Sequence, residues 1–269
     1  METHELTLYF YPSPGLDWSS PGGLARTTLR NAMISRRSIG HVSVELRVNG
    51  ELRFLTGMSQ VGKNKQSAEL LFAKSRGLGV LFHDFKGRLE TSEELLPELE
   101  KRFRSGKLSF ITFQLNAITA SRVERYLREY RENGGHEHYG LPNRPLYGEG
   151  AGCSAFGASF LEVAGVLDPL YREKWTRLIR VPRAFVGDSK AGRKVSILKV
   201  LQCRAWATES EPHESVFFWD PDLMHQWVIA TWDACRTSND SNRASKKNAR
   251  GLLLNRTEVV APEEPIWRT

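Results

Sequence analysis

Cysteine is scarce in this sequence, since it occurs only three times in 269 residues. Three cysteines are too few to hold a fold together with disulfides, which excludes the disulfide-rich scaffolds. No window reaches the roughly 18 uncharged apolar residues that a membrane-spanning helix needs. No segment repeats at a period of about 20–50 residues, which excludes solenoids and propellers. With 40% apolar and 26% charged residues, the composition is that of an ordinary soluble globular protein.

The net charge is mildly positive at +7, from 38 Lys and Arg against 31 Asp and Glu. The densest basic stretch, residues 243–250, has no aromatic side chain among its cations for base stacking, so we expect no nucleic-acid partner. The first residues lack the basic region, apolar run and cleavage site of a signal peptide. We therefore expect a cytoplasmic protein as the sequence stands, or a periplasmic or secreted one if a leader was removed.

Alternating and helical apolar patterns are both present along the chain, which indicates the α+β class. Residues 39–48 alternate as a strand does, and residues 51–56 form the returning strand. Between them lies Asn49-Gly50, the dipeptide most typical of a tight hairpin. The sequence therefore predicts an antiparallel sheet with a hairpin at this point.

Helical periodicity is clearest in three segments, and the last of them begins with a capping Asp and a Pro. These segments are residues 119–133, 153–166 and 220–235. Residues 195–203 predict a further strand. We expect one domain over residues 1–205, and a C-terminal helix with a basic tail over residues 206–269 that packs on this domain or trails from it.

Cys153 is the cysteine best placed for chemistry, because it follows a Gly-rich loop and begins a small, apolar helix. A thiol at a helix N-terminus lies near the positive end of the helix dipole and near unpaired N–H groups, and both lower its pKa. The same N–H groups can hold an oxyanion. A nucleophilic thiol also needs a basic partner, and His41, at the start of the predicted hairpin, is the best placed of the seven histidines. Taken alone, each residue is more often structural.

Two short motifs resemble one family. The segment GHVSVEL at residues 40–46 resembles the His-bearing strand of the circularly permuted NlpC-like papain-fold proteins, which include the lecithin:retinol acyltransferase-like enzymes. The segment GCSAF at residues 152–156 resembles their Cys-bearing helix start, with Gly152 where the family commonly has Asn. His41 precedes Cys153, which is the permuted order. The resemblance spans about residues 6–200 and implies an antiparallel sheet packed on the Cys-bearing helix.

The resemblance implies a cysteine hydrolase or acyl transferase that acts on an amide or ester bond without a cofactor or metal. Cys153 would attack the acyl carbon, and His41 would hold the ion pair and later protonate the leaving group. The backbone N–H groups of Cys153 and Ser154 would stabilise the oxyanion. The first substrate expectation is a peptide or peptidoglycan fragment of a bacterial cell wall, and the second is a lipid acyl ester.

The group that orients His41 stays open at this point, because the acyltransferase-like members often carry a second His where this chain has Arg53. Glu45 and Ser43 share a strand face with His41 by the period of two. Tyr11 on the first strand is a further candidate donor. Arg53 only donates hydrogen bonds, so it suits a substrate carboxylate or phosphate better than the imidazole N–H.

Two other interpretations remain. The chain fits a catalytically silent peptide- or lipid-binding module on the same fold, because the orienting group is unassigned. A caspase-like peptidase also has His before Cys, but its Gln-Ala-Cys-x-Gly sequence is absent here.

Overall fold

The chain folds into a mixed α+β structure, seen in a computed structural model that describes residues 3–34, 39–62, 75–187, 192–235 and 242–269. The strands are β1 (His4–Tyr11), β2 (His41–Val48), β3 (Glu51–Thr56), β4 (Met58–Gln60), β5 (Phe85–Leu89), β6 (Ser109–Leu115), β7 (His138–Tyr139), β8 (Thr176–Pro182), β9 (His213–Trp219), β10 (Arg243–Lys246) and β11 (Ala249–Asn255). The helices are α1 (Pro21–Ile34), α2 (Ser92–Ser105), α3 (Ala117–Glu132), α4 (Cys153–Val163), α5 (Pro169–Trp175), α6 (Ile197–Gln202) and α7 (Pro221–Ala234).

A six-stranded sheet in the order β10-β11-β6-β1-β2-β3 forms the centre of the fold. Its neighbouring strands are antiparallel except for β11 and β6, which run parallel. A smaller sheet, β4-β5-β7, continues from the β3 side, and β8 pairs with β9 in a separate two-stranded sheet. This arrangement confirms the predicted α+β class.

The predicted hairpin is confirmed, with β2 and β3 joined at Asn49-Gly50. Both turn residues have positive φ, 53° for Asn49 and 79° for Gly50. A two-residue turn with this backbone matches the right-handed twist of the strands that it joins. His41 is the first residue of β2, where it pairs with Tyr11 of β1.

One face of β2 packs against α4 in the main core. Val42, Val44 and Leu46 are completely buried there, together with Phe156 and Phe160 of α4. Because side chains alternate along a strand, the intervening residues of β2 point to the opposite face. That second face is covered by α2, whose Leu95 and Leu99 pack in a separate apolar cluster.

Gly157 allows α4 to approach β2 closely, which yields a stability prediction. A Cβ at this position would lie 2.6 Å from Cγ1 of Val42, which is closer than two carbons can approach. We expect Gly157→Ala to lower the free energy of unfolding by about 1–3 kcal/mol through overpacking. Urea denaturation measures this change.

Val42→Ala provides the control for the Gly157 prediction, because it removes the atom that the new methyl group meets. The Gly157→Ala/Val42→Ala double variant should lose less free energy of unfolding than the sum of the losses in the two single variants. Simple additivity of the two losses would show that the Gly157–Val42 contact is not the cause.

The C-terminal third contributes strands to the sheets. β9, which follows residue 205, pairs with β8, which precedes it. β11 inserts between β10 and β6. The predicted strand over residues 195–203 is wrong, because residues 197–202 form α6, with Ser196 accepting a hydrogen bond from the N–H of Leu198 at 3.2 Å. A short apolar run is compatible with a strand or a helix, and its tertiary surroundings determine which one forms.

Among the described residues, no helix combines the length and the apolar character that crossing a membrane requires.

Candidate functional site

Cys153 is the first residue of α4, as predicted. Gly152 precedes it in an extended conformation, with φ −70° and ψ 159°, and contributes no side-chain cap. The N–H groups of the first helical turn therefore have no side-chain acceptor from the capping position, and the positive end of the helix dipole lies at the thiol. The side chain is buried, and its Sγ lies 3.8 Å from Oγ of Ser154.

A close backbone contact brings the segment before Cys153 against β7. The N–H of Ala151 donates to the carbonyl of His138 at 3.2 Å. Gly150 has a φ of +79°, and a Cβ there would lie 2.4 Å from that same carbonyl oxygen, so only glycine fits. Since Tyr139 follows His138, this contact places its side chain at the thiol.

Tyr139 is the direct partner of the Cys153 thiol. Its hydroxyl is hydrogen-bonded to the Cys153 sulfur, and the backbone N–H of Cys153 donates to the same hydroxyl oxygen. Burial raises the pKa of the Tyr139 hydroxyl well above its ordinary value of 10.0, and negative charge on Cys153 and Glu90 raises that pKa further. Tyr139 therefore keeps its proton at neutral pH, and it can donate a hydrogen bond to a thiolate.

The thiol opens into an apolar cavity of about 220 Å³. The polar side chains of its wall are few: Thr28, Gln60, Tyr139, Cys153, Ser154 and Asp220. The apolar wall consists chiefly of Trp18, Leu24, Leu29, Ile39, Leu78, Val80, Leu81, Phe85, Leu141, Ile197, Val200, Phe218, Trp219 and Pro221. These residues come from α1, α6, β9 and the 3-10 turn Leu78–Phe82, which are distant in sequence, so no local pattern predicted the cavity.

Among the described residues that line the cavity, Asp220 is the one formally charged side chain, and its charge is already paired. Its carboxylate lies 2.5 Å from Nε of Arg177, and it also caps α7 by accepting from the N–H of Asp222 at 2.8 Å. Burial raises the pKa of Asp220, and the hydrogen bond from Arg177 opposes that rise. The described part of the cavity wall therefore presents no free charge to a ligand.

His41 is fully buried beside a carboxylate that the sequence reasoning missed. Its Nε2 lies 2.7 Å from Oε2 of Glu90, within ion-pair distance. Gly57 makes room for this pair, because a Cβ there would lie 3.0 Å from the His41 nitrogen and 2.9 Å from the Glu90 oxygen. The backbone also fixes Glu90, whose N–H donates to the carbonyl of Gly57 at 2.8 Å. Glu90 is thus the carboxylate that lies at the His41 ring, a position that the sequence did not reveal.

Cys153 and His41 approach the strand end from different sides. The His41 ring lies 5.5 Å from the ring of Tyr11, on the face of the sheet covered by α2, and does not belong to the cavity wall. Cys153 begins α4, which packs on the opposite face. Tyr139 couples electrostatically to both Cys153 and Glu90. The predicted dyad therefore stays a prediction.

The other residues predicted to assist His41 have partners elsewhere on the same sheet face. The hydroxyls of Ser43 and Tyr11 lie 2.9 Å apart and form a hydrogen bond. Glu45 accepts from the Tyr9 hydroxyl at 3.2 Å and from Nε of Arg47 at 2.8 Å. These contacts occupy Ser43, Tyr11 and Glu45 with partners other than His41.

Arg53 lies away from the cavity, exposed on the edge strand β3. The pairing of β2 with β3 is irregular between Leu46 and Arg47, opposite this point, so the register does not bring Arg53 to His41. Ser154, the second predicted oxyanion donor, does line the cavity beside Cys153. All three cysteines are free thiols, and only Cys153 is buried.

Comparisons of the chain with protein-family models, with curated proteins and with solved structures find no match.

Proposed function

We propose that this protein is a cysteine-dependent hydrolase or acyl transferase that acts on an ester or amide whose apolar acyl group enters the cavity at Cys153. The observation that supports it best is the thiol itself, which lies at a helix N-terminus, hydrogen-bonded to Tyr139, in the wall of an apolar cavity. A wall without free charge suits a lipid acyl chain better than a cell-wall peptide, because buried peptide groups need hydrogen-bond partners.

The permuted NlpC-like papain fold is part of this proposal. A His-bearing strand that precedes a Cys-bearing helix in the chain supports it, as does the packing of that helix on the same strand. The hairpin at Asn49-Gly50 occupies the position that the resemblance implies.

The proposed reaction proceeds through a thioester. The Cys153 sulfur bonds to the acyl carbon, and the carbonyl oxygen becomes the oxyanion. The backbone N–H of Cys153, which donates to the Tyr139 hydroxyl in the free protein, then donates to this oxyanion. His41 is assigned as the base: its Nδ1 is buried without a hydrogen-bond partner among the described residues, and Glu90 faces Nε2. The bond from the acyl carbon to the leaving group then breaks, and His41 returns the proton to that group. Water or another acceptor releases the acyl group and restores the thiol.

A binding module is the second candidate function, and a specific observation favours it. His41 lies on the sheet face opposite α4 and outside the cavity wall. In a binding module the cavity would hold an acyl chain or an apolar peptide side chain, and Cys153 would be part of its wall.

Thiol reactivity separates the two functions, because only the enzyme needs an activated cysteine. Iodoacetamide labelling of the whole protein, read by peptide mass spectrometry across pH, follows the three thiols together. In the enzyme, we expect Cys153 to react with a midpoint below the ordinary thiol pKa of about 8.5, although it is the most buried of the three.

Cys203 and Cys235 serve as internal controls with ordinary reactivity. Tyr139→Phe should slow the labelling of Cys153 near neutral pH, because it removes a hydrogen-bond donor to the thiolate. If Cys153 labels more slowly than both control thiols at every pH, the enzyme proposal fails and the binding module replaces it.

A further inference from the structure

Helix α6 contributes to the cavity wall and also has an exposed leucine. Ile197 and Val200 of this helix face the cavity, and the neighbouring Leu198 is 66% exposed. Ile39, which also lines the cavity, is 41% exposed. Apolar side chains that remain in water next to an apolar cavity indicate a surface that meets an apolar partner.

Basic residues flank this leucine on both sides along the chain, and we name the group the α6 rim: Arg193, Lys194, Leu198, Lys199 and Arg204. All five are exposed. None of the four cations forms an ion pair within the described part of the chain, and residues 192–208 contain no Asp or Glu. Helix α1, which packs on α6 and donates from Arg26 to the Leu201 carbonyl at 2.8 Å, contains no acidic residue either. The rim therefore combines one exposed leucine with four exposed cations.

We propose that the α6 rim docks on an anionic lipid bilayer surface, with Leu198 in the headgroup region and the cavity mouth facing the membrane. Charge complementarity selects this partner, because exposed cations together with an exposed leucine match an anionic surface with an apolar interior. Docking in this orientation would place the cavity where acyl chains are available. The docking proposal rests on the proposed function for its purpose, because the membrane would supply the acyl substrate. Membrane binding itself requires no catalytic turnover.

The expected strength of membrane binding follows from the number of cations in the α6 rim. Each basic residue near an anionic surface strengthens binding by about fivefold, and the attraction weakens with salt. Four cations with one inserted leucine therefore suffice for reversible attachment to a membrane, and the attachment should depend on the anionic lipid fraction.

Co-sedimentation with vesicles tests the docking on the full-length protein. We expect binding to phosphatidylcholine vesicles that contain about 30% phosphatidylglycerol, and little binding to phosphatidylcholine alone. Lys194→Glu/Lys199→Glu should raise the lipid concentration for half-binding at least about tenfold. Leu198→Asn should raise it by about tenfold through lost apolar insertion.

Matched variants control for net charge and for apolar exposure. Lys101→Glu/Lys107→Glu, on the exposed surface around the end of α2, makes the same change in charge, and Leu170→Asn removes another exposed leucine. Both controls should bind as the parent does. Equal losses in the rim variant and its control, absence of vesicle binding, or tighter binding to a DNA duplex than to vesicles would overturn the proposal.

Two further measurements keep this proposal separate from the proposed function. Cys153→Ala should bind vesicles as the parent does, whether or not the parent is an enzyme. Lys194→Glu/Lys199→Glu should retain the parent's turnover of a short, water-soluble ester. Loss of vesicle binding in Cys153→Ala would show that the attachment depends on the thiol and would overturn docking by the rim.

Discussion

Cys153→Ala is expected to lower the turnover of an apolar acyl ester by about 10³-fold or more. The reason is chemical, since no thioester forms without the sulfur, and the remaining cavity only binds the acyl group. The fold should survive the substitution, because Ala is a good helix former and the change removes one buried atom from the start of α4. Steady-state kinetics with a p-nitrophenyl ester of a medium-length acyl chain measures the loss.

Three variants separate the role of the sulfur from a structural effect at Cys153. Cys203→Ala and Cys235→Ala remove thiols that are free and only partly buried, and both should retain the parent's turnover. Cys153→Ser keeps the size of the side chain but offers a poor nucleophile, so it should be nearly as inactive as Cys153→Ala. If Cys153→Ala kept more than about a tenth of the parent's turnover, the covalent mechanism would be wrong.

Ligand binding adds a second readout on the same variants. Cys153→Ala should still bind the corresponding fatty acid, because the cavity wall is apolar and Cys153 is only one of the many residues that line it. Loss of both turnover and binding would indicate a damaged cavity, whereas loss of turnover alone isolates the chemistry.

The local parts of the site could be predicted from sequence because short segments encode them. Asn49 and Gly50 adopt the positive φ that their hairpin requires, and the alternating residues before them form the strand that begins at His41. The small residues after Gly152 begin a buried helix with Cys153 at its first position. Each of these features depends on neighbours within a few residues, so a single segment contains the signal.

The partners of these residues could not be predicted, because they meet only through the tertiary fold. Glu90 lies at the end of β5 and reaches His41 through the close approach at Gly57. Tyr139 of β7 lies near Cys153 because the loop between them folds back, so that the N–H of Ala151 donates to the carbonyl of His138 in the same strand. No spacing in the sequence records either encounter, and the same holds for the cavity wall.

The C-terminal strands β10 and β11 could not be predicted for a different reason, because their many basic residues do not form an apolar strand pattern. The basic run that predicted a tail forms β10 and the start of β11, at the edge of the large sheet. Lys246 is accommodated by placing its ammonium group 5.4 Å from the ring centroid of Tyr9 and 5.2 Å from that of Phe110. Burial lowers the pKa of this lysine, and Glu45 nearby opposes that shift. Long cationic side chains thus cover apolar surface while their charge stays partnered.

His41→Ala is expected to lower the same turnover by about 10²–10⁴-fold, as the loss of a general base does. Glu90→Gln should have a smaller effect, because Gln can hold the ring but supplies no charge to stabilise an imidazolium. Steady-state kinetics with the same ester measures both losses, and an unchanged free energy of unfolding in Glu90→Gln would distinguish a lost positioning contact from simple damage to the fold.

Ser43→Ala is the matched control for His41→Ala and Glu90→Gln. Ser43 is as buried as His41 and lies on the same strand face, but its hydroxyl bonds Tyr11. It should therefore keep the parent's rate. Gly57→Ala tests the pair from another direction, because the new methyl group would press on both the His41 nitrogen and the Glu90 oxygen. It should reproduce the rate loss of His41→Ala in part, without removing either group.

The outcome that decides the assignment is the comparison of His41→Ala with Cys153→Ala. If Cys153→Ala is inactive while His41→Ala keeps more than half of the parent's rate, the base is not His41. The pair with Glu90 would then be a structural ion pair under α2, and the thiolate would depend on Tyr139 and the helix N-terminus alone. Parallel losses in the two variants would instead require the imidazole to reach the thiol around the end of β2, where Gly40 has a φ of +76° and Ile39 lines the cavity.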